Sequence, residues 1–192
     1  MSKEKQVSAV KRSPLERIEY TPPMRMPHGA ASLVLRGGRI LAVAWEGNVR
    51  LLLAGIREGF PGARPADGRK ATFRNILERY ATGKFPAARE ILSQPFAWER
   101  VSEFDRKVLE ATSRVPAGST ATYGDVAWKA GRPGAARAAG GALGRNPWPI
   151  VIPCHRIVGA SGDLTGFGKG LPAKRALLAF ESALPVRPGG AQ

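Results

Sequence analysis

Residues 115–147 read VPAGSTATYGDVAWKAGRPGAARAAGGALGRNP, and the fold of the second half of the chain turns on this stretch. The spacing predicts a short helix over about 123–130, a Gly131-Arg132-Pro133-Gly134 turn, and a second helix over about 135–143. Two short helices joined by a tight glycine-containing turn form a helix-turn-helix pattern. The second helix is so rich in alanine and glycine that its backbone can approach a surface closely. Such helices also serve tight core packing, so the pattern alone leaves two readings. Charge separates them. Residues 126–162 carry Lys129, Arg132, Arg137, Arg145 and Arg156 and no carboxylate, over 37 residues of a chain that has 15 acidic ones. A phosphate-facing surface needs that arrangement, because a carboxylate there would repel the nucleic-acid backbone.

Working outward, Ser102 with Asp105 three residues later predicts a capping box for a helix carrying Phe104, Val108, Leu109 and Ala111. Residues 29–100 read as a small α+β unit. The runs ASLVLR and RILAVAW flank Gly37-Gly38 as in a β-hairpin. Asn48 caps a helix over 49–58 that Phe60-Pro61-Gly62 stops, and Phe73, Ile76, Leu77 and Tyr80 mark an amphipathic helix over 71–80 closed by Gly83. This unit shows no catalytic constellation and reads as a structural half. Residues 1–28, with Lys3, Lys5, Lys11, Arg12, Arg17 and Arg25 among four prolines, read as a flexible basic arm, and 185–192 as a frayed tail. The division is therefore arm 1–28, N-terminal domain 29–100, C-terminal domain 101–184 and tail.

The whole chain of 192 residues has 43% apolar residues, enough for a buried core, and a net charge of +15 with 21 arginines. Such an excess points to a polyanionic partner or to a merely basic surface. A single cysteine, Cys154, excludes an intramolecular disulfide and a cysteine-based zinc finger, and two histidines, His28 and His155, argue against a histidine-rich metal site. No apolar run reaches the length of a membrane span and the start MSKEKQV lacks a signal-peptide core, so the expectation is a cytoplasmic protein with no membrane association.

The lone cysteine lies in the acid-free stretch, in Pro149-Ile-Val-Ile-Pro-Cys-His-Arg-Ile-Val158. An apolar strand over 150–152 is expected to deliver a proline-stiffened turn that holds Cys154 beside His155. A nucleophilic cysteine needs a thiolate, a histidine can take the proton, and a carboxylate can orient the imidazole. Glu181, near the end of a helix over 171–182 with Leu177, Leu178 and Phe180, is the carboxylate placed to do so. An isolated cysteine also serves as a small buried hydrophobe.

Several motifs fall in one order: Thr122-Tyr123-Gly124, Ala135-Ala136-Arg137-Ala138-Ala139-Gly140-Gly141, Arg145-Asn146-Pro147, Ile152-Pro153-Cys154-His155-Arg156-Ile157-Val158, Gly166-Phe167-Gly168-Lys169-Gly170-Leu171, and Glu181. Over about 104–183 the chain resembles the 6-O-methylguanine-DNA methyltransferases (methylated-DNA–protein-cysteine methyltransferases). The resemblance implies an N-terminal ribonuclease-H-like small sheet domain and a C-terminal winged-helix-like helix-turn-helix domain, α+β overall. It implies DNA repair by direct, irreversible transfer of a methyl group from 6-O-methylguanine, and from 4-O-methylthymine, to Cys154, one methyl for each molecule, with no cofactor and no metal. His155 would deprotonate Cys154 through a water, Glu181 would bond the far side of the imidazole, Asn146 would hold the turn, and Tyr123 would donate to a guanine ring nitrogen. Carbonyls around Cys154 and Val158 would receive the exocyclic amine, and the loop holding Phe167 and Gly168 would close the pocket. The second helix would enter the minor groove of double-stranded DNA, with Arg137 filling the gap left by the flipped nucleotide. Arg132, Gly124, Ala138 and Arg156 are the further DNA-binding residues expected, and the protein would act as a monomer. Gly168 lacks a serine hydroxyl that some relatives carry, which bears on the range of alkyl groups. A non-catalytic DNA-binding protein is the alternative, and it would not require the Cys154, His155 and Glu181 set.

Overall fold

The computed structural model describes residues 17–66 and 74–181. Lys3, Lys5, Lys11 and Arg12 of the expected arm, the start of the helix expected over 71–80 and the expected tail over 185–192 lie outside the described residues. The stretch expected to be a flexible arm carries two strands. Residues 18–20 and 24–26 are β1 (Ile18–Tyr20) and β2 (Met24–Met26), paired antiparallel with one edge of β3 (Gly29–Arg36). Two prolines, Pro22 and Pro23, separate these strands, and Thr21 bridges the gap by bonding Leu33 through both backbone and hydroxyl. Strands of three residues are too short to show an alternation in sequence.

The other edge of β3 pairs with β4 (Arg39–Glu46) through the Gly37-Gly38 turn, as expected. Gly29 opens β3 at φ 113°, and a Cβ there would stand 2.0 Å from the Glu46 carbonyl oxygen, so the strand end closes only with glycine. Helix α1 (Val49–Gly59) begins on the predicted cap, with Asn48 accepting from the Leu51 amide, and buries Leu52 and Ile56 against the sheet. A two-residue strand, β5 (Arg64–Pro65), adds parallel to β1. Helices α2 (Arg74–Ala81) and α3 (Ala88–Leu92) follow.

The C-terminal half opens with α4 (Glu103–Ser113). Ser102 caps it through the Asp105 amide, but the Asp105 carboxylate turns to Arg145, making two bonds of 2.8 and 2.9 Å, and so ties α4 to the residue that ends the second helix of the motif. A full capping box sits elsewhere, where Thr122 and Asp125 start α5 (Tyr123–Lys129) directly after the two-residue strand β6 (Ala121–Thr122). After the Gly131–Gly134 turn comes α6 (Ala136–Gly144). Ala139, Ala142 and Leu143 face the core, while Arg137, Ala138, Gly141 and Gly144 face solvent.

Residues 150–152 do not form the expected strand. Ile150 has φ 72°, a costly conformation for a β-branched residue, and the Ile152 amide folds back on the Trp148 carbonyl. This compact turn leads through a short 3₁₀ turn over Cys154–Arg156 into β7 (Ile157–Val158), which pairs parallel with β6, and the chain reaches α7 (Leu171–Phe180). A run apolar at every position is buried on all sides, so its periodicity cannot tell strand from turn.

One hydrophobic core joins both halves. Trp148 is fully buried against Phe96 and Trp98, and its indole N–H donates to the Ile40 carbonyl of β4 at 3.0 Å. The Val43 amide of the same strand donates to the Pro147 carbonyl at 2.8 Å. The turn before the cysteine is thereby fixed to the N-terminal sheet.

Candidate active site

Cys154 is half-buried and lines a cavity of about 830 Å³ between α5, α6 and the loop before α7. Tyr123, Gly124, Arg137, Asn146, Phe167 and Gly168, all named from the sequence, line it too. Asn146 spans the turn: its Nδ2 donates to the Ile152 carbonyl at 3.0 Å and its Oδ1 accepts from the Trp148 amide at 2.9 Å. Phe167 leans on Trp45 of β4 with ring centroids 6.0 Å apart, and Lys169 pairs with Glu46 beside it. The N-terminal sheet thus supports the pocket loop from behind.

Behind the cysteine lies a buried polar group. His155 Nε2 meets Glu181 Oε1 at 2.7 Å, with both side chains fully buried. Arg156 donates to both carboxylate oxygens, at 2.7 and 3.0 Å, and to the Val115 carbonyl at 2.6 Å. The Tyr80 hydroxyl donates to Oε1 at 2.8 Å. Burial works against the Glu181 charge, but the bonds from His155 and Arg156 outweigh it and hold the carboxyl at about 2. Burial keeps His155 below its ordinary value, hence neutral. A neutral imidazole facing an ionised carboxylate carries its proton on Nε2, which leaves Nδ1 as an acceptor, and Nδ1 has no hydrogen-bond partner among the described residues. Burial also pushes the Cys154 thiol up, with the Asn146 side chain and the Lys174 charge pulling the other way. At rest the sulfur holds its proton.

Arg156 corrects the expectation of a DNA contact. It is only 2% exposed and its guanidinium is spent on Glu181 and Val115, so it is a core residue of the site. Val158 is buried in β7 and is not among the residues lining the cavity. Arg132 is exposed on the interhelical turn with its guanidinium 5.0 Å from the Phe104 ring centre, and Ala138 is exposed on α6. Two residues of the site carry no motif in the sequence. Tyr80 comes from the half read as purely structural. Lys174 on α7 is fully buried, and burial lowers its ammonium to about 8. Only their pairing across the fold marks them, which spacing within one helix does not record. Tyr123 donates its hydroxyl to the Thr165 carbonyl at 3.1 Å, with the Gly166 carbonyl at 3.3 Å, and burial raises its pKa so that it stays a donor.

This group gives the fold an acid limit. The Glu181 carboxyl lies lower in the fold than its ordinary 4.5, so the stabilisation is complete above that value and is lost as pH falls towards 2. His155 adds to it, since the unfolded chain takes up its proton below 6.5 and the folded one resists. The urea midpoint is expected to fall steadily from pH 6.5 downward; a midpoint unchanged between pH 7 and 3 would contradict the geometry.

A family model described as "6-O-methylguanine DNA methyltransferase, DNA binding domain" matches residues 103–183. A methylated-DNA–protein-cysteine methyltransferase of Mycolicibacterium paratuberculosis is 56% identical over 82 residues, which span 43% of this chain and 50% of the relative. That of Methanosarcina acetivorans is 37% identical over 145 residues, 69% of this chain and 92% of the relative. The chain belongs to the methylated-DNA–protein-cysteine methyltransferase family. Membership in this methyltransferase family carries DNA repair by alkyl transfer to a cysteine, with DNA as partner. A methyltransferase structure agrees in its mixed α+β fold: Mycobacterium tuberculosis OGT in complex with DNA superposes with a TM-score of 0.69 at 31% identity, over 89% of this chain and 96% of that one. Among the described residues no helix is long and apolar enough to cross a membrane.

Proposed function

We propose that this chain removes the methyl group of 6-O-methylguanine, and of 4-O-methylthymine, from a nucleotide flipped out of double-stranded DNA, and keeps it on Cys154. The observation that carries this reading is a cysteine on the wall of an open cavity, with an oriented and neutral histidine next in sequence and buried behind it. The His155 Nδ1 lone pair takes the thiol proton through a water. The sulfur attacks the methyl carbon, the carbon–oxygen bond breaks, and its electron pair returns to the base. Tyr123 releases the Thr165 carbonyl and donates to a guanine ring nitrogen, so the base leaves neutral. The product is a thioether, which has no accessible route back, so each molecule acts once. The lesion is itself the donor, so the reaction calls for neither cofactor nor metal.

The methylated oxygen is out of a cysteine's reach while the base is stacked, which makes flipping a physical requirement. The outer face of α6 suits the minor groove: Ala138, Gly141 and Gly144 permit close approach, and Arg137 at the cavity edge fills the space the base vacates. Arg132 and Gly124 would contact the backbone beside it. We read the N-terminal half as ribonuclease-H-like, the C-terminal half as a winged-helix-like helix-turn-helix, and the protein as a cytoplasmic monomer.

The test is incubation with DNA carrying one 6-O-methylguanine, followed by mass spectrometry of the Cys154 peptide. A gain of one methylene, about 14 Da, on that peptide is expected. An unmodified peptide from a protein that still binds the DNA would make it a binder without transfer.

A further inference from the structure

The pocket loop 166–170 reads Gly-Phe-Gly-Lys-Gly, so only Phe167 and Lys169 have side chains with which to hold it. Both reach consecutive residues at the end of β4. Phe167 leans on Trp45 with ring centroids 6.0 Å apart, and Lys169 pairs with Glu46. Gly166 and Gly170 bracket the loop at φ 41° and 83°, and a Cβ on Gly168 would meet nothing within 4 Å. The turn bond from the Gly170 amide to the Phe167 carbonyl, 2.8 Å, shapes the loop without placing the Phe167 ring. Its placement falls to β4, and that strand end cannot yield. Trp45 is 3% exposed, lies opposite Ala31 of β3, and donates its indole N–H to the His28 carbonyl at 2.9 Å. Trp45 itself does not line the cavity, whereas Phe167 does, together with Cys154.

We propose that Trp45 determines how large an alkyl group the site accepts: as a positioning residue it backs Phe167 and fixes the wall that this ring forms in the cavity of Cys154. Methyl fits beside that wall, and a bulkier group such as benzyl is disfavoured. This rests on the reading of Cys154 as the alkyl acceptor. A group larger than methyl has to displace Phe167, and the displaced ring compresses Trp45 against a strand already held by β3. Close-packed interiors resist that compression. The Lys169–Glu46 pair restrains the other side chain of the loop more weakly, because both partners are partly exposed and water and salt screen them. Selection among alkyl groups is thus exercised from the N-terminal half of the chain, through a residue that never meets the substrate.

The experiment compares wild type, Trp45→Leu, Trp45→Phe and Glu46→Lys as full chains. Without DNA it reads the rate of Cys154 alkylation by iodoacetamide and by its N-benzyl derivative. With DNA it reads single-turnover transfer from 6-O-methylguanine and from 6-O-benzylguanine. Each pair is taken as a ratio of bulky to small, which cancels changes in thiol ionisation and in DNA affinity. In Trp45→Leu both ratios are expected to rise about tenfold, the scale of a small gain of space in an apolar pocket. Trp45→Phe keeps a ring behind Phe167 and should stay within about threefold of wild type. Glu46→Lys sets two ammonium groups against each other at an exposed pair and should raise both ratios about fivefold at low salt. Ratios within about twofold of wild type in a folded Leu variant, or lowered ones, would overturn the proposal. If the Leu variant does not fold, Glu46→Lys decides, and unchanged ratios there overturn it. A rise with the two reagents alone, in a variant that transfers methyl from DNA with the wild-type preference, overturns it too. The same rise in a protein that takes up no alkyl group from DNA would sink the repair reading and leave the role of Trp45 standing.

Discussion

Glu181→Ala is expected to abolish transfer and to destabilise the protein by about 3–5 kcal/mol, the range for removing one partner of a buried ion pair. Both losses have one origin. The carboxylate accepts from His155, from Arg156 twice, and from Tyr80, with no exposure to water. Without it, the Arg156 guanidinium remains buried with only the Val115 carbonyl as a described partner, and an uncompensated charge in that place is the expensive part. His155 at the same time loses the acceptor that keeps its proton on Nε2, so its Nδ1 is no longer reserved as a base. For a chain of this length the loss corresponds to a fall in Tm on the order of 10 °C. Glu181→Gln separates the two effects. Its amide oxygen still accepts one bond, which spares part of the stability, but it has no charge to stabilise an imidazolium. Thermal melts together with single-turnover transfer check this. An alanine variant that melts with wild type would mean that the four bonds contribute nothing net.

Much of this was legible in the chain because local chemistry and tertiary structure agree there. The hairpin follows from two apolar runs about Gly37-Gly38, α1 from the Asn48 cap, and the helix-turn-helix from Gly131 and Gly134, which take φ near 80°. Cys154, Asn146, Tyr123 and Arg137 reach one cavity because the motifs that hold them are short and each has its own turn chemistry. What escaped was decided by burial. Arg156 reads as one more cation on a phosphate-facing stretch, yet it closes the 3₁₀ turn that carries Cys154 and points inward, where it meets a carboxylate 25 residues away. Tyr80 keeps a helical spacing with Ile76 and Leu77 and looks like core, which it is, except for the hydroxyl that crosses between the halves to Glu181. The strands β1 and β2 were hidden by Pro22 and Pro23, residues that suggest a loose arm and here lie between two short pairings with β3.

The division of labour between binding and chemistry yields the sharpest expectation for the cysteine itself. Cys154→Ala removes one sulfur from the wall of a cavity that is already open, so it leaves no new buried void and no unpaired polar group. The surface proposed to meet DNA is elsewhere, along Arg137, Ala138, Gly141 and Gly144 on the outer side of α6, and that helix is held by Ala139, Ala142 and Leu143 in the core and by the Arg145–Asp105 pair at its end. The variant is therefore expected to lose all methyl uptake, while its affinity for the same DNA stays within about twofold of wild type. Its dependence on salt should also match, since each phosphate neutralised by an arginine or lysine adds about 0.9 to the logarithmic slope and no such residue has changed. Binding isotherms at three salt concentrations, beside mass analysis of the treated protein, measure both halves. Affinity that falls tenfold or more with the sulfur would show that the lesion is gripped mainly by the cysteine, and the groove-binding role given to α6 would then be wrong.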